Sequence, residues 1–194
     1  MTPQLVTSQA YTPHVLKAIQ HAKKRVYVLA LVVQQEEDAA KIITALNSAA
    51  NRGVEVIIMA DFCTYSYING HLSLGSIYSK QSQVATNMVN RLSSSGATFS
   101  WLGMQHAFLF SGRTHSKWII ADDTVFTFGG INLYLTFRDN HDYMFMLEDK
   151  KVADILAREQ MAIYSADKMD CAYLSYTVPI ENGEILFDGG IPGE

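Results

Sequence analysis

The stretch Thr114 to Asn132, THSKWIIADDTVFTFGGIN, constrains this chain more than any other part of it. It sets His115, Lys117, Asp122, Gly129, Gly130 and Asn132 in the pattern HxK(x)4D(x)6GGxN. On a strand, where successive side chains alternate between faces, His115 and Lys117 project together toward one ligand. Ser116 and Trp118 then face the other way, and Ile119 and Ile120 complete a mostly buried strand. Asp122 and Asp123 make a turn, and Thr124 to Phe128 return as a second apolar strand. Gly129-Gly130 allows a tight bend and a close approach of backbone to ligand, and Asn132 offers a side-chain amide.

These residue types suit phosphodiester cleavage. That reaction needs a nucleophile near neutral pH, charge neutralisation on the non-bridging oxygens, and a proton for the leaving group. An imidazole is a fit nucleophile because at its ordinary pKa much of it is neutral at pH 7. Taken singly, each piece has an ordinary reading: a surface His or Lys, a Gly-Gly turn, an Asp-Asp hairpin turn. In one register together those readings lose. The pattern resembles the signature of the phospholipase D superfamily.

The resemblance covers about Thr12 to Ser165, with its specific part in Thr114 to Asn132. The segment NRGVEVIIMAD, Asn51 to Asp61, also looks like a strand-entry segment of that family. Carried over residue by residue, the resemblance implies that His115 is the nucleophile and forms a covalent phosphohistidine. Lys117 and Asn132 would bind the non-bridging oxygens, Gly129 and Gly130 would shape the bend around the substrate, and Asp122 would help set the histidine tautomer across an interface. Asp142, at the start of the apolar segment DYMFML, is the candidate carboxylate that orients or tunes the histidine. As a residue it reads equally well as a strand cap beside Arg138 or His141. The implied mechanism calls for no metal and no cofactor, and the sequence has no His/Cys/Asp cluster at metal-ligand spacing. It does call for two motif copies facing each other, whereas one is present here. The implied arrangement is a homodimer, as in small single-motif nucleases, or one half of a longer two-motif enzyme, and the chain's ending favours the second.

With 194 residues, 48% of them hydrophobic and 18% charged, the chain suits one domain with a sizeable core. Cys63 and Cys171 form neither a metal spacing nor a disulfide framework and fit a reducing, cytoplasmic setting. The N-terminal residues lack the pattern of a leader, and no run reaches a membrane span. The net charge of −4 is not the footprint of broad nucleic-acid binding. Lys23, Lys24 and Arg25 are the one basic cluster of note in the linear sequence, read as the exposed end of a helix where cations meet the C-terminal dipole.

In chain order the pattern alternates helix and strand. Thr12 to Lys24 carries a helical stripe with Pro13 placed for a first turn. Val26 to Val33 is an apolar strand, Ala39 to Asn51 a helix ended by Arg52-Gly53, and Val54 to Ala60 the next strand, a βαβ unit with a right-handed crossover. Phe62 to Lys80 is rich in Tyr, Ser and Gly, either an aromatic lip at a substrate entrance, a membrane-facing loop or a surface excursion with no role, and His71 within it reads as exposed. A helix over Ser82 to Ser94 and a short strand over Ala97 to Leu102 follow, and His106 before Ala107 to Phe110 reads as structural. After the motif, Leu133 to Arg138 leaves the site, Asp142 to Leu147 is a strand, and Asp149 caps a helix over Lys151 to Ser165. The expected fold is α/β, a mixed and largely parallel sheet flanked by helices on both faces. Residues 1–167 form the catalytic domain, and residues 168–194 an extended segment suited to linking a second copy.

The leading expectation is a phospholipase D-type phosphodiesterase that hydrolyses or transfers phospholipid in the manner of cardiolipin or phosphatidylserine synthase-like enzymes, with peripheral contact to a membrane. The alternatives are a homodimeric metal-independent endonuclease, disfavoured by net charge, and a catalytically inactive half that binds a phosphate-bearing ligand or a partner.

Overall fold

A computed structural model of the chain describes residues 2–35, 37–62, 64, 80–103, 114–134, 141–169, 175–181 and 183–187. Seven strands form one sheet in the order β1-β7-β6-β5-β2-β3-β4. They are β1 (Gln4–Thr7), β2 (Arg25–Ala30), β3 (Glu55–Asp61), β4 (Thr98–Leu102), β5 (Trp118–Ala121), β6 (Thr124–Thr127) and β7 (Tyr143–Glu148). The helices are α1 (Ser8–His21), α2 (Glu37–Asn51), α3 (Lys80–Ser94) and α4 (Lys150–Met169), and β8 (Tyr176–Ile180) pairs with β9 (Gly183–Phe187) as a separate hairpin.

The period of two along each central strand decides which layer each side chain enters. In β2, Val26, Val28 and Ala30 join one core while Tyr27 and Leu29 join the other. Ile119 and Ala121 of β5 follow the first set, and Trp118 and Ile120 the second. The first core is closed by α1 through Tyr11, Val15 and Ile19, by α2 through Ile42, Ile43 and Leu46, and by α3 through Met88 and Leu92. The second is closed by α4 through Val152, Ile155 and Leu156, together with Ile185 and Phe187 of the C-terminal hairpin. Each helix therefore presents the apolar stripe that its sequence spacing encodes.

The sheet is mixed, but not largely parallel as the alternation of helix and strand suggested. Only β2·β3 and β3·β4 are parallel, and the four other pairings are antiparallel. For β5 and β6 the reason lies in the central motif: Asp122-Asp123 joins them in two residues, and only an antiparallel pair can be joined so tightly. The expected βαβ unit is present as β2-α2-β3.

One further expectation is revised, and the reading of extended C-terminal segments gains a partner arrangement. Helix α1 begins at Ser8 rather than near Thr12, because the Ser8 N–H donates to the Asp142 carbonyl at 3.0 Å and starts the helix directly from β1. Pro13 consequently stands inside the helix. The C-terminal extended segment is a hairpin packed on the second core through Ile185 and Phe187. Cys63, His71, His106, Cys171, most of the Phe62–Lys80 lip, Ala107 to Phe110, and Leu135 to Arg138 lie outside the described residues.

Candidate active site

The strand order brings the motif to one end of the sheet. The chain reaches β5 through Thr114 to Lys117, and β5 runs antiparallel to β2 with Trp118 opposite Leu29. His115 and Lys117 therefore stand where the parallel strands β2 and β3 finish, the end at which α/β sheets present ligand sites. The His115 ring is exposed, whereas Lys117 is 6% exposed. The lysine Nζ lies 3.3 and 3.4 Å from the two imidazole nitrogens and donates to the His115 carbonyl at 2.7 Å. The two side chains thus meet as their two-residue spacing requires, although both precede the strand itself. Burial pushes the Lys117 ammonium below the ordinary lysine range, and the Asp142 carboxylate opposes that shift.

Asp142 comes to this site from β7, the neighbour of β6. Its Oδ1 accepts the Tyr143 N–H at 2.8 Å. Among the described residues, its charge acts on Lys117, where it opposes the lowering of the lysine's pKa.

The chain bends at Phe128-Gly129, and the Gly-Gly pair has a second use beside that bend. Neither glycine adopts positive φ, and the strained position is the preceding Phe128, at φ 53° with its ring exposed. What both glycines provide is room. A Cβ at Gly129 would lie 1.9 Å from the Tyr143 carbonyl oxygen, and one at Gly130 would lie 2.5 Å from Asp142 Oδ2. The Gly130 N–H donates to the Tyr143 carbonyl at 3.1 Å, which ties the segment to β7. Close approach is indeed what the glycines allow, but to β7.

Asn132 closes the other side. Its Oδ1 accepts the N–H groups of Leu31 and Val32 at 3.1 and 3.3 Å, just past the end of β2. The amide oxygen is committed to backbone, so Nδ2, with one contact of 3.5 Å to the Gly130 carbonyl, is the group left to a ligand. Leu133 then bridges to Val33 and locks the crossing.

Asp122 does not join this cluster within the chain. It sits beyond the far end of β5, at φ 53°, and its carboxylate accepts the N–H groups of Lys23, Lys24 and Arg25 at 2.8 to 3.0 Å. Desolvation of the carboxylate is outweighed by these three bonds, and its pKa falls below the ordinary range. In this chain Asp122 fastens the entry of β2 to the β5–β6 turn.

Two residues absent from the sequence reading support the site. Thr127, 2% exposed, donates from Oγ1 to the Lys117 carbonyl at 3.4 Å, and Ser8 holds the Asp142 carbonyl. A threonine ending the apolar strand TVFT was the available signal for the first. The second depends on β1 pairing with β7 and had none. Among the described residues no group of three or more His, Cys, Asp or Glu side chains gathers as a metal site. Among them, too, no helix is long and apolar enough to cross a membrane.

The family pattern described as "Cardiolipin synthase, PLD-like domain" matches residues 15–163. Cardiolipin synthase B of Salmonella typhimurium is 26% identical over 166 residues, covering 80% of this chain and 36% of that protein. The chain thus spans about a third of the length of this curated relative. Among solved structures, Nuc of Salmonella typhimurium, a phospholipase D family member, superposes with a TM-score of 0.60 at 23% identity, covering 84% of this chain and 94% of Nuc. Phosphatidylserine synthase of Haemophilus influenzae Rd KW20 gives a TM-score of 0.60 at 17% identity, covering 80% of this chain and 35% of its own.

Proposed function

This chain belongs to the phospholipase D-like family of enzymes, and from that premise we propose that it is a phosphodiesterase acting through His115, with phospholipid as the favoured substrate. The observation that carries the proposal is the contact of Lys117 Nζ with both ring nitrogens of an exposed imidazole at the open end of the sheet. A phosphate seated there meets a nucleophile from solvent and a cation from the protein at once.

In the proposed reaction neutral His115 attacks phosphorus in line. An N–P bond forms as the P–O bond to the leaving alcohol breaks, and that oxygen takes a proton from a second imidazole. Water or an acceptor alcohol then gives its proton to the second imidazole and attacks phosphorus, and the N–P bond breaks to restore His115. Water makes the reaction hydrolysis, and an alcohol makes it phosphatidyl transfer. Lys117 neutralises charge on the non-bridging oxygens and Asn132 Nδ2 donates a hydrogen bond to them, with Asp142 sustaining the charge of Lys117 against burial. Gly129 and Gly130 set the distance between this cluster and β7.

The second imidazole belongs, in this reading, to another motif, supplied by a second copy or by further sequence of a longer enzyme. The net charge of −4 and the apolar residues exposed near the site, Phe128 and Tyr143, support phospholipid and peripheral membrane contact over nucleic acid. The close match in length to Nuc supports a second reading, a homodimeric metal-independent endonuclease. Retention of the full motif ranks both above an inactive ligand-binding half.

The test is turnover of phosphatidylglycerol vesicles and of a DNA duplex by wild type and His115→Ala, with protein quenched in denaturant at alkaline pH, where an N–P bond survives, and examined by mass spectrometry for a phosphohistidine adduct. Lipid turnover with an adduct on His115, both absent from the variant, is expected. DNA cleavage without lipid turnover would replace the leading reading by the second.

A further inference from the structure

The linear cluster Lys23-Lys24-Arg25 is not simply the exposed end of α1. Arg25 opens β2 and lines an open groove of about 820 Å³ with Tyr27, Lys150, Lys151, Asp154 and Arg158. The groove lies at the start of β2, beyond Ala121, whereas His115 stands past the opposite end of β5. It is a separate place from the active site.

Its charge is concentrated. Four cations face one carboxylate in a chain whose net charge is −4. Asp154 is shared by Arg25, at 2.5 Å, and Lys150, so two of the cations already saturate the one anion. Lys151 and Arg158 are exposed and form no ion pair with any described residue. Apart from the i,i+4 pair of Lys150 with Asp154, the arrangement does not serve helix stability. Lys150 and Lys151 occupy the first turn of α4, which contains no acidic residue, where the positive end of the helix dipole repels cations. Asp149 caps that turn through the N–H groups of Lys151 and Val152, so the helix start is secured without them. The dipole adds its own positive potential to the groove. Arg25 is held from behind, where the Asp122 carboxylate fixes its backbone together with that of Lys23 and Lys24. The Tyr27 hydroxyl donates to Glu55 at 2.6 Å, which holds its ring in place as the floor.

We infer that this groove binds a phosphate-bearing ligand through Lys151, Arg158 and Arg25, independently of the His115 site. Its volume suits a small molecule or a single headgroup rather than a tracked polynucleotide. The shared chemistry is one or two phosphates, carried by an anionic lipid headgroup or by a free phosphate compound. Guanidinium and ammonium groups meeting at one concave surface supply the charge-assisted hydrogen bonds that such oxygens take.

The test titrates inorganic pyrophosphate by calorimetry into three proteins: wild type, Lys117→Met, in which the active-site cation is gone, and the double variant Lys151→Ala, Arg158→Ala. Binding is expected to persist in Lys117→Met and to weaken in the double variant by roughly tenfold for each cation removed. Both truncated side chains are exposed, so circular dichroism and melting should match wild type. In parallel, the proteins are sedimented with phosphatidylglycerol or phosphatidylcholine vesicles. Retention on the anionic vesicles that is lost in the double variant assigns the phosphate to a lipid headgroup. Pyrophosphate binding without vesicle retention assigns it to a free compound. Affinity unchanged in the double variant, or neither probe bound by Lys117→Met, overturns the inference. So does a single-stranded oligonucleotide held more tightly than either probe through the same two residues. None of these readouts depends on turnover, so the groove can fail while the phosphodiesterase reading stands, and the reverse.

Discussion

Gly130 and Asp142 share one space: a Cβ on residue 130 would stand 2.5 Å from Asp142 Oδ2 and 2.6 Å from Oδ1. The glycine is therefore what lets the carboxylate stand where its field reaches Lys117. Gly130→Ala should displace a side chain rather than backbone, leaving the protein folded. Turnover should fall by roughly 10²-fold, the usual cost of misplacing a charge that stabilises a transition state. Gly129→Ala meets the Tyr143 carbonyl at 1.9 Å, and backbone cannot swing aside. That variant should lose stability first, by about 2 kcal/mol or more. Melting curves and specific activities of the two variants, side by side, separate these outcomes.

Lys117 carries a charge that its burial disfavours. Lys117→Met preserves most of the volume and removes that desolvation cost, so the melting temperature should hold or rise while turnover drops by roughly 10²-fold or more. Loss of fold with loss of activity would instead make the lysine structural. The pH dependence has a definite sign. The folded-state pKa lies below the unfolded value of 10.5, so folding is penalised by Lys117 at neutral pH, and the penalty is relieved as pH rises through the lowered pKa toward 10.5.

Asp122→Asn keeps one acceptor oxygen but removes the charge that three backbone N–H groups share. A loss of about 1 to 3 kcal/mol is expected, with activity per folded molecule retained at low temperature. Because the native pKa lies below the ordinary value of 3.8, the wild-type advantage is present above that value and is lost as pH falls through the lowered native pKa. Urea denaturation of both proteins at neutral and acid pH measures it: a difference in stability independent of pH would refute the role given to this carboxylate.

Gln160, fully buried on α4, accepts the Trp118 Nε1–H at 2.8 Å and donates to the Val28 carbonyl at 3.1 Å. It is a buried polar tie between α4 and the strands that carry the site. Gln160→Leu leaves a buried donor and a buried acceptor without their partner and should cost about 2 to 4 kcal/mol. Stability restored by Gln160→Glu at acid pH, where the side chain is neutral and can again both donate and accept, would identify the hydrogen bonds rather than the volume as the cause.

What could be read from the sequence was local in origin. The spacing of His115 and Lys117, the apolar periods of α2, α3 and α4, and the two-residue Asp122-Asp123 turn are each set by geometry that repeats over a few residues. Those features identified the family and the central pair of the site. The tertiary structure decided whatever depended on strands distant in sequence lying side by side. The hairpin at Asp122 made β5 and β6 antiparallel, and β7 then paired with β6 in the same sense. Asp142 reached Lys117 by that route, Gly129 and Gly130 acquired their need for space from the β7 backbone and Asp142, and Asp122 was left at the far end of the sheet, holding Arg25. Likewise Arg25 came to line a cationic groove only when α4 packed on the sheet and brought Lys151 and Arg158 to the same groove. The physical reason is common to all of these. A residue type restricts what chemistry a position can perform, but its charge neighbours and free space are set by pairing register and layer packing, which no short window of sequence contains.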